Sequence, residues 1–157
     1  GFLTTATYLF RINKEIMNKP SFWKNCHVGD YPLVIFCGLI GQVFYINEYT
    51  SCYRYGIGWT KHFYDLPIEE RIIRWKSEMD MLNGFNEASG KMYNQIFCAQ
   101  IINFLFATII IENYENRELF KSFYEYLHPS NLKEMLKVIV IKHKYAGALF
   151  HFAKKLV

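Results

Sequence analysis

The sequence predicts a mainly helical chain in two parts, an α/β fragment with few strands over residues 1–66 and an all-helical region over residues 67–157. In the first part the apolar residues come in short runs rich in threonine and aromatic side chains, which is typical of strands. In the second part they recur at gaps of three and four, from Ile68 through Trp75 to Leu82. That spacing indicates one face of a helix.

The first part alternates strands with one apolar helix. We predict three strands, at residues 4–10, 42–46 and 49–55. Residues 33–40 are almost wholly apolar and predict a buried helix over residues 30–40. Pro32 suits the first turn of that helix, and Gly41 is expected to close it in a left-handed conformation.

The second part is predicted to hold about five helices. One begins at residue 68, and the others cover residues 91–113, 116–127, 132–142 and 146–156. Ser89 and Gly90 are expected to break the chain direction after the first helix. Asn131 and Glu134 have the spacing of a capping box at the start of the fourth.

Charge is distributed unevenly along a chain of 157 residues whose net charge is only +4. From Leu132 onward Glu134 is the one acidic residue, and there are six lysines: Lys133, Lys137, Lys142, Lys144, Lys154 and Lys155. This basic pair of helices is either a solvated surface or a peripheral contact for anionic lipid or a phosphate-bearing substrate. Nucleic acid is not among the partners that we expect.

Neither the cysteines nor the apolar runs indicate secretion or a membrane span. The cysteines are Cys26, Cys37, Cys52 and Cys98. Their spacings match no zinc pattern, so we expect reduced, mostly buried thiols in a cytoplasmic protein. Residues 96–111 form the most apolar run, but it is short for a span and contains Gln100 and Asn103.

The most informative motif is Gly29-Asp30-Tyr31-Pro32-Leu33. Asp30 stands directly before the apolar helix. A carboxylate there either caps the helix or acts as a chemical group at the mouth of a pocket.

This motif, with the strand-like Thr4–Arg11 before it and Gly41–Ile46 and Tyr53-Arg54 after it, resembles the second half of a family 2 nucleotide-sugar glycosyltransferase. These are inverting enzymes of the GT-A fold, common in bacterial polysaccharide and lipopolysaccharide assembly. The resemblance covers roughly residues 3 to 60. It implies that residues 1–66 are the acceptor-side half of a GT-A catalytic domain.

The resemblance implies transfer of a sugar from a nucleotide-diphosphate donor to a hydroxyl of a saccharide or lipid-linked acceptor. Asp30 would be the general base that takes the acceptor proton. A divalent metal, Mg or Mn, would be held by an Asp-x-Asp motif in an amino-terminal half that this sequence lacks. We therefore expect a carboxy-terminal portion that is inactive alone and binds no metal, at the inner face of the membrane or elsewhere in the cytoplasm.

The resemblance also implies a set of substrate-binding residues: Thr4, Thr5, Trp23, Gly29, Tyr53, Arg54 and Trp59. Each has a structural alternative. The threonines fit plain strand propensity, and Trp23 either stacks on an acceptor sugar or plugs the core. Arg54 suits a diphosphate, or a surface ion pair with Glu48. The role of Trp59 depends on a loop that matches the family only partly.

A second hypothesis assigns no chemistry to the chain. The helices after Pro67 would form an interaction or membrane-docking module, as their basic end suggests. A homodimer is a further expectation, because a strand near Thr4 without its sheet neighbour would leave an open edge.

Overall fold

The computed structural model describes residues 9, 14, 18–23, 26, 29–44, 46, 48, 63–112 and 114–155. The chain divides into two compact units, Gly1–Met81 and Leu82–Val157. The α-helices are α1 (Asp30–Ile40), α2 (Ile68–Ala88), α3 (Asn94–Phe106), α4 (Leu132–Lys142) and α5 (Lys144–Lys155). A 3₁₀ turn (Ser21–Trp23), a π-helix (Ala107–Glu112) and a long 3₁₀ helix (Tyr114–Tyr126) complete the elements.

The predicted α/β fragment is wrong, because every regular element in the described part of the chain is helical. The described residues of the predicted strand 42–46 form no strand. The side chains of Val43, Phe44 and Ile46 are mostly exposed. Strand propensity reflects the fit of a side chain to a pleated, half-buried surface. The described residues provide no neighbouring strand to make that surface. The predicted strand 49–55 lies outside the described residues, as does 4–10 except for Leu9.

The first unit contains the apolar helix that the sequence predicts, with the same bounds, Asp30–Ile40. The prediction that this helix is buried is wrong, because Pro32 is its one buried residue. Its Pro32 is buried in the first turn, where a missing N–H costs nothing. The predicted left-handed closure is wrong, because Gly41 has φ −153° and ψ −172°, which is extended backbone. The chain therefore leaves α1 directly, without the turn back that a left-handed residue gives.

Aromatic contacts pack the part of this unit that lies around α2. The ring of Phe63 lies edge-on to Trp75, with 5.4 Å between centroids. Both side chains are buried, and Met79 is buried one turn further along α2. The guanidinium of Arg71 lies 5.7 Å from the ring centroid of Trp75, within the range of a cation–π contact.

The second unit has a continuous apolar core. Its buried side chains include Leu82 and Phe85 at the end of α2. They also include isoleucines and a leucine on α3 and the π-helix. The largest of its fully buried side chains are Phe85, Ile102, Leu105, Ile109, Ile110, Phe120, Phe123 and Ile141. Between α2 and α3, Gly90 and Lys91 both have φ +62°, and this turn confirms the predicted break in chain direction.

The single predicted helix 91–113 is two elements, because α3 gives way to the π-helix at Ala107. The predicted α-helix 116–127 is a 3₁₀ helix instead. Its buried residues, Phe120, Phe123 and Tyr126, are three apart, and this is the repeat of a 3₁₀ helix rather than of an α-helix. A stripe with period three keeps one residue in three against the core and leaves the others in solvent.

The predicted capping box at the start of α4 is confirmed. The side chain of Asn131 accepts a hydrogen bond from the backbone N–H of Glu134 at 3.0 Å. The helix covers Leu132–Lys142 as predicted, and His143 alone separates it from α5. This short connection makes α4 and α5 consecutive neighbours at the end of the unit.

Candidate docking surface

The structure describes three of the eight residues that the resemblance assigns to a catalytic site, namely Asp30, Gly29 and Trp23. Gly29 is the N-cap of α1, with φ −69° and ψ −26°, and it has no side chain to cap the helix. Asp30 is the first residue of the helix. A carboxylate in the first turn is favourable by itself, because it faces the positive end of the helix dipole.

Trp23 belongs to the core of the first unit. Only 6% of its surface is exposed. Its ring meets Phe36 of α1 edge-on, with 5.5 Å between centroids, and the Lys19 ammonium lies 5.2 Å from the ring centroid. With Phe36 and Lys19 against it, the indole has little exposed surface on which a sugar ring could stack. The burial of Trp23 therefore favours the alternative in which it fills the core.

The rest of the implied site lies outside the described residues. These residues are Thr4, Thr5, Tyr53, Arg54 and Trp59. Their roles, and glycosyl transfer with its donor, acceptor and metal, stay predictions. Within the described ranges, no three His, Cys, Asp or Glu side chains are arranged to hold a metal ion.

The described cysteines are free thiols. Burial raises the pKa of Cys37 above its ordinary value. Burial likewise raises the pKa of Cys98. The negative charge of Glu134 also raises this pKa, whereas the positive charge of Lys91 lowers it. A thiol that stays protonated is a weak nucleophile, so these two positions have the character of core residues.

The unusual feature of the second unit is an apolar face of α4 that points away from the core. Its residues are Leu132, Met135, Leu136 and Ile139, and each is between 43% and 72% exposed. Their spacing of three and four places them on one side of the helix. The opposite side, with Glu134, Val138 and Ile141, is buried. Helix α4 therefore has two apolar faces, and the protein core covers only one of them.

Helix α5 has a similar outward face. Tyr145, Leu149 and Phe152 follow one another at gaps of four and three, and each is between 61% and 87% exposed. We call these three residues, together with Leu132, Met135, Leu136 and Ile139 of α4, the docking surface.

The inward side of α5 is held by close contacts. Gly147 lies so near the chain that an added Cβ would be 3.0 Å from the backbone oxygen of Val140 and 3.2 Å from the ring of Tyr114. His151 stacks on Tyr114, with 4.8 Å between ring centroids and 18° between planes. Its Nδ1–H donates to the carbonyl of Ile110 at 2.8 Å, since a carbonyl can only accept. These contacts orient α5 and thereby fix which residues face outward.

Lysines border the docking surface. Lys133, Lys142 and Lys144 are exposed, and Lys137 is half-buried. Lys137 donates to the side chain of Asn103 and lies over the ring of Phe106, while the Lys142 ammonium lies 5.8 Å from the ring centroid of Tyr124. The border is therefore basic, and part of it is held in place by aromatic rings.

Sequence reasoning identified the basic character of these helices but missed their outward apolar faces. The signal was present: Leu132, Met135, Leu136 and Ile139 occupy one side of α4, and Val138 and Ile141 occupy another. A helix at the edge of a core needs only one apolar stripe. Two stripes on one short helix indicate that the second has a use outside the core.

No helix in the described part of the chain combines the length and apolarity needed to cross a bilayer.

No protein-family profile, no curated protein and no solved structure matches this chain.

Proposed function

We propose that the second unit is a non-catalytic docking module that lies on a membrane surface through the outward faces of α4 and α5. The observation that carries this proposal is the exposure of seven apolar side chains on two consecutive helices whose other sides are packed. A helix that rests in a bilayer interface has such a composition, with leucine and aromatic residues on one face and lysines beside it.

The magnitudes are adequate for reversible binding. Full burial of one leucine, isoleucine or phenylalanine side chain contributes about 1.5–3 kcal/mol. Burial of three of the seven would contribute on the order of 6 kcal/mol. Interfacial insertion moves each helix only a short distance into the headgroup region, so the packed sides and their contacts with the core are unchanged.

Co-sedimentation of the full chain with phospholipid vesicles tests this proposal. Replacing Leu136 and Leu149 by serine removes one exposed apolar side chain from each outward face. We expect the double variant to bind vesicles at least about 30-fold more weakly than the wild type. Circular dichroism checks that both proteins are folded.

A matched control is available within the same unit. Ile96 and Leu119 are also exposed apolar residues, on α3 and on the 3₁₀ helix. The double variant Ile96→Ser with Leu119→Ser should keep the wild-type affinity. Equal loss in both double variants would show general stickiness instead of a docking surface, and no loss in Leu136→Ser with Leu149→Ser would refute the proposal.

A further inference from the structure

We propose that the lysine border of the docking surface recognises the phosphate-bearing headgroups of an anionic bilayer. This inference rests on the membrane docking proposed above, and it names the kind of membrane. It follows from where the lysines lie, from what happens to the one acidic residue nearby, and from the charge that a partner would need.

The lysines flank the apolar face of α4 on both sides. Helical spacing places Lys133 along one flank and Lys142 along the other. Lys137 is half-buried, and its ammonium donates to Asn103 of α3. Lys144 begins α5 directly after the connection. When the apolar residues enter the interface, the ammonium groups of Lys133, Lys142 and Lys144 stand at the level of the headgroups, where a long side chain can keep its charge in water.

The one acidic residue of α4 and α5 is not part of their exposed surface. Glu134 is buried, and its carboxylate accepts hydrogen bonds from the backbone and hydroxyl of Ser130 and from the side chain of Asn131. Burial opposes its ionisation, but these hydrogen bonds and the charge of Lys137 prevail and keep the pKa of Glu134 below its ordinary value. The carboxylate is thus engaged at the start of α4, and the described surface of α4 and α5 exposes lysine without an acidic neighbour.

A second copy of the chain is a poor occupant for the same surface. A two-fold interface places the same patch on both partners, so the lysine borders would approach each other. An anionic bilayer has the opposite charge and accepts apolar side chains beneath its headgroups. Charge complementarity therefore selects the bilayer as the occupant.

Lys133 and Lys144 are the best residues for a test, because both are exposed and neither makes an ion pair or cation–π contact within the described residues. The experiment compares binding of the full chain to vesicles of phosphatidylcholine alone and to vesicles that also contain phosphatidylserine. We expect wild type to prefer the anionic vesicles, and Lys133→Gln with Lys144→Gln to reduce binding to them roughly 25-fold at low salt.

The control removes the same charge from elsewhere in the unit. Lys91 and Lys121 are exposed and pair with Glu87 and Glu118. The double variant Lys91→Gln with Lys121→Gln should bind anionic vesicles nearly as wild type does. If this variant loses as much affinity for anionic vesicles as Lys133→Gln with Lys144→Gln does, net charge alone explains the effect and the inference is overturned.

The outcomes separate this inference from the docking proposal. Equal binding to neutral and anionic vesicles would overturn the lysine inference and leave membrane docking intact. Absence of binding to either kind of vesicle would overturn both, and a concentration-dependent dimer in light scattering would then assign the surface to a second copy.

Discussion

Asn131 and Glu134 cap the start of α4 reciprocally. The side-chain oxygen of Asn131 accepts from the backbone N–H of Glu134 at 3.0 Å, and its Nδ2 donates to Glu134 Oε1 at 2.7 Å. The second carboxylate oxygen accepts from the backbone N–H of Ser130 at 2.8 Å. One arrangement thus begins the helix that carries four of the seven residues of the docking surface, and it also holds the acidic residue of that helix in a buried position.

The cap makes a first prediction about stability. Asn131→Ala removes the acceptor for the Glu134 N–H and one donor to its carboxylate. We expect a loss of about 1 kcal/mol in the free energy of unfolding, the usual value for an N-cap. Urea denaturation followed by circular dichroism measures it. Asn116→Ala, an exposed substitution in the 3₁₀ helix, should stay within about 0.5 kcal/mol of wild type. Equal stability of Asn131→Ala and wild type would contradict the role of the cap.

Local signals explain why this end of the chain could be predicted from sequence. The capping box involves residues three apart, and Asn131 and Glu134 interact whatever the rest of the fold does. The bounds of α1 depend on equally local features, an acidic start and Pro32 in the first turn. The strand over residues 42–46 depends on a partner elsewhere in the chain, and propensity alone does not supply one. The cap and the bounds of α1 were predicted correctly because their determinants are local, and the strand was predicted wrongly because its determinant is tertiary.

The 3₁₀ helix makes a second prediction, because its period differs from that of the α-helix that the sequence suggested. Phe123 is fully buried, whereas Leu119, which an α-helical period would place on the same side, is 46% exposed. We expect Phe123→Ala to cost about 3–5 kcal/mol, from lost burial and the cavity left behind. Leu119→Ala should cost under about 1 kcal/mol. Urea denaturation of the two variants decides between the periods. Similar losses for both would indicate that Leu119 is packed and that the period of three is absent.

Glu78 gives a third prediction, on pH. Burial raises its pKa to about 7. Between the ordinary glutamate value near 4.5 and about 7, the folded chain holds a proton that the unfolded chain has released. Folding stability therefore falls as pH rises through this range. The fall from Glu78 alone is up to about 3 kcal/mol.

Glu78→Gln tests this dependence, because an amide keeps the shape of the side chain and cannot ionise. We expect the variant to lose the fall in stability between pH 5 and pH 7.5 (about the span between the two pKa values) and to be more stable than wild type at about pH 8. Unfolding free energies at several pH values provide the measurement. Glu69→Gln, at the exposed start of the same helix, should retain the fall. If the stability of Glu78→Gln still falls as pH rises through this range, another titrating group is responsible for the fall.

The docking surface could be predicted only in part, for a physical reason. The lysine excess after Leu132 is a matter of composition and is visible in the sequence. Exposure is a tertiary property: Ile139 and Ile141 are both apolar residues of α4, yet only Ile141 is buried. Which side of α4 meets the core depends on α3 and the π-helix packed against it. The sequence of α4 alone shows two apolar stripes and does not show which of them meets the core.

Gly147 gives the last prediction, on the contact that orients α5. An alanine would ordinarily stabilise a helix by about 1 kcal/mol relative to glycine. Here its Cβ would be 3.0 Å from the Val140 backbone oxygen, 3.2 Å from Tyr114 and 3.4 Å from Ile110, and the nearest of these atoms is backbone and cannot turn aside. We expect overpacking to outweigh propensity, so that Gly147→Ala lowers the free energy of unfolding by about 1–2 kcal/mol.

Gly38→Ala in α1 is the control, because its added Cβ meets only Val43 Cγ2 at 4.0 Å. That variant should gain about 0.5–1 kcal/mol. If α5 shifts to make room for the alanine, vesicle binding by Gly147→Ala should weaken together with its stability. A Gly147→Ala protein as stable as wild type would show that α5 does not depend on this close approach.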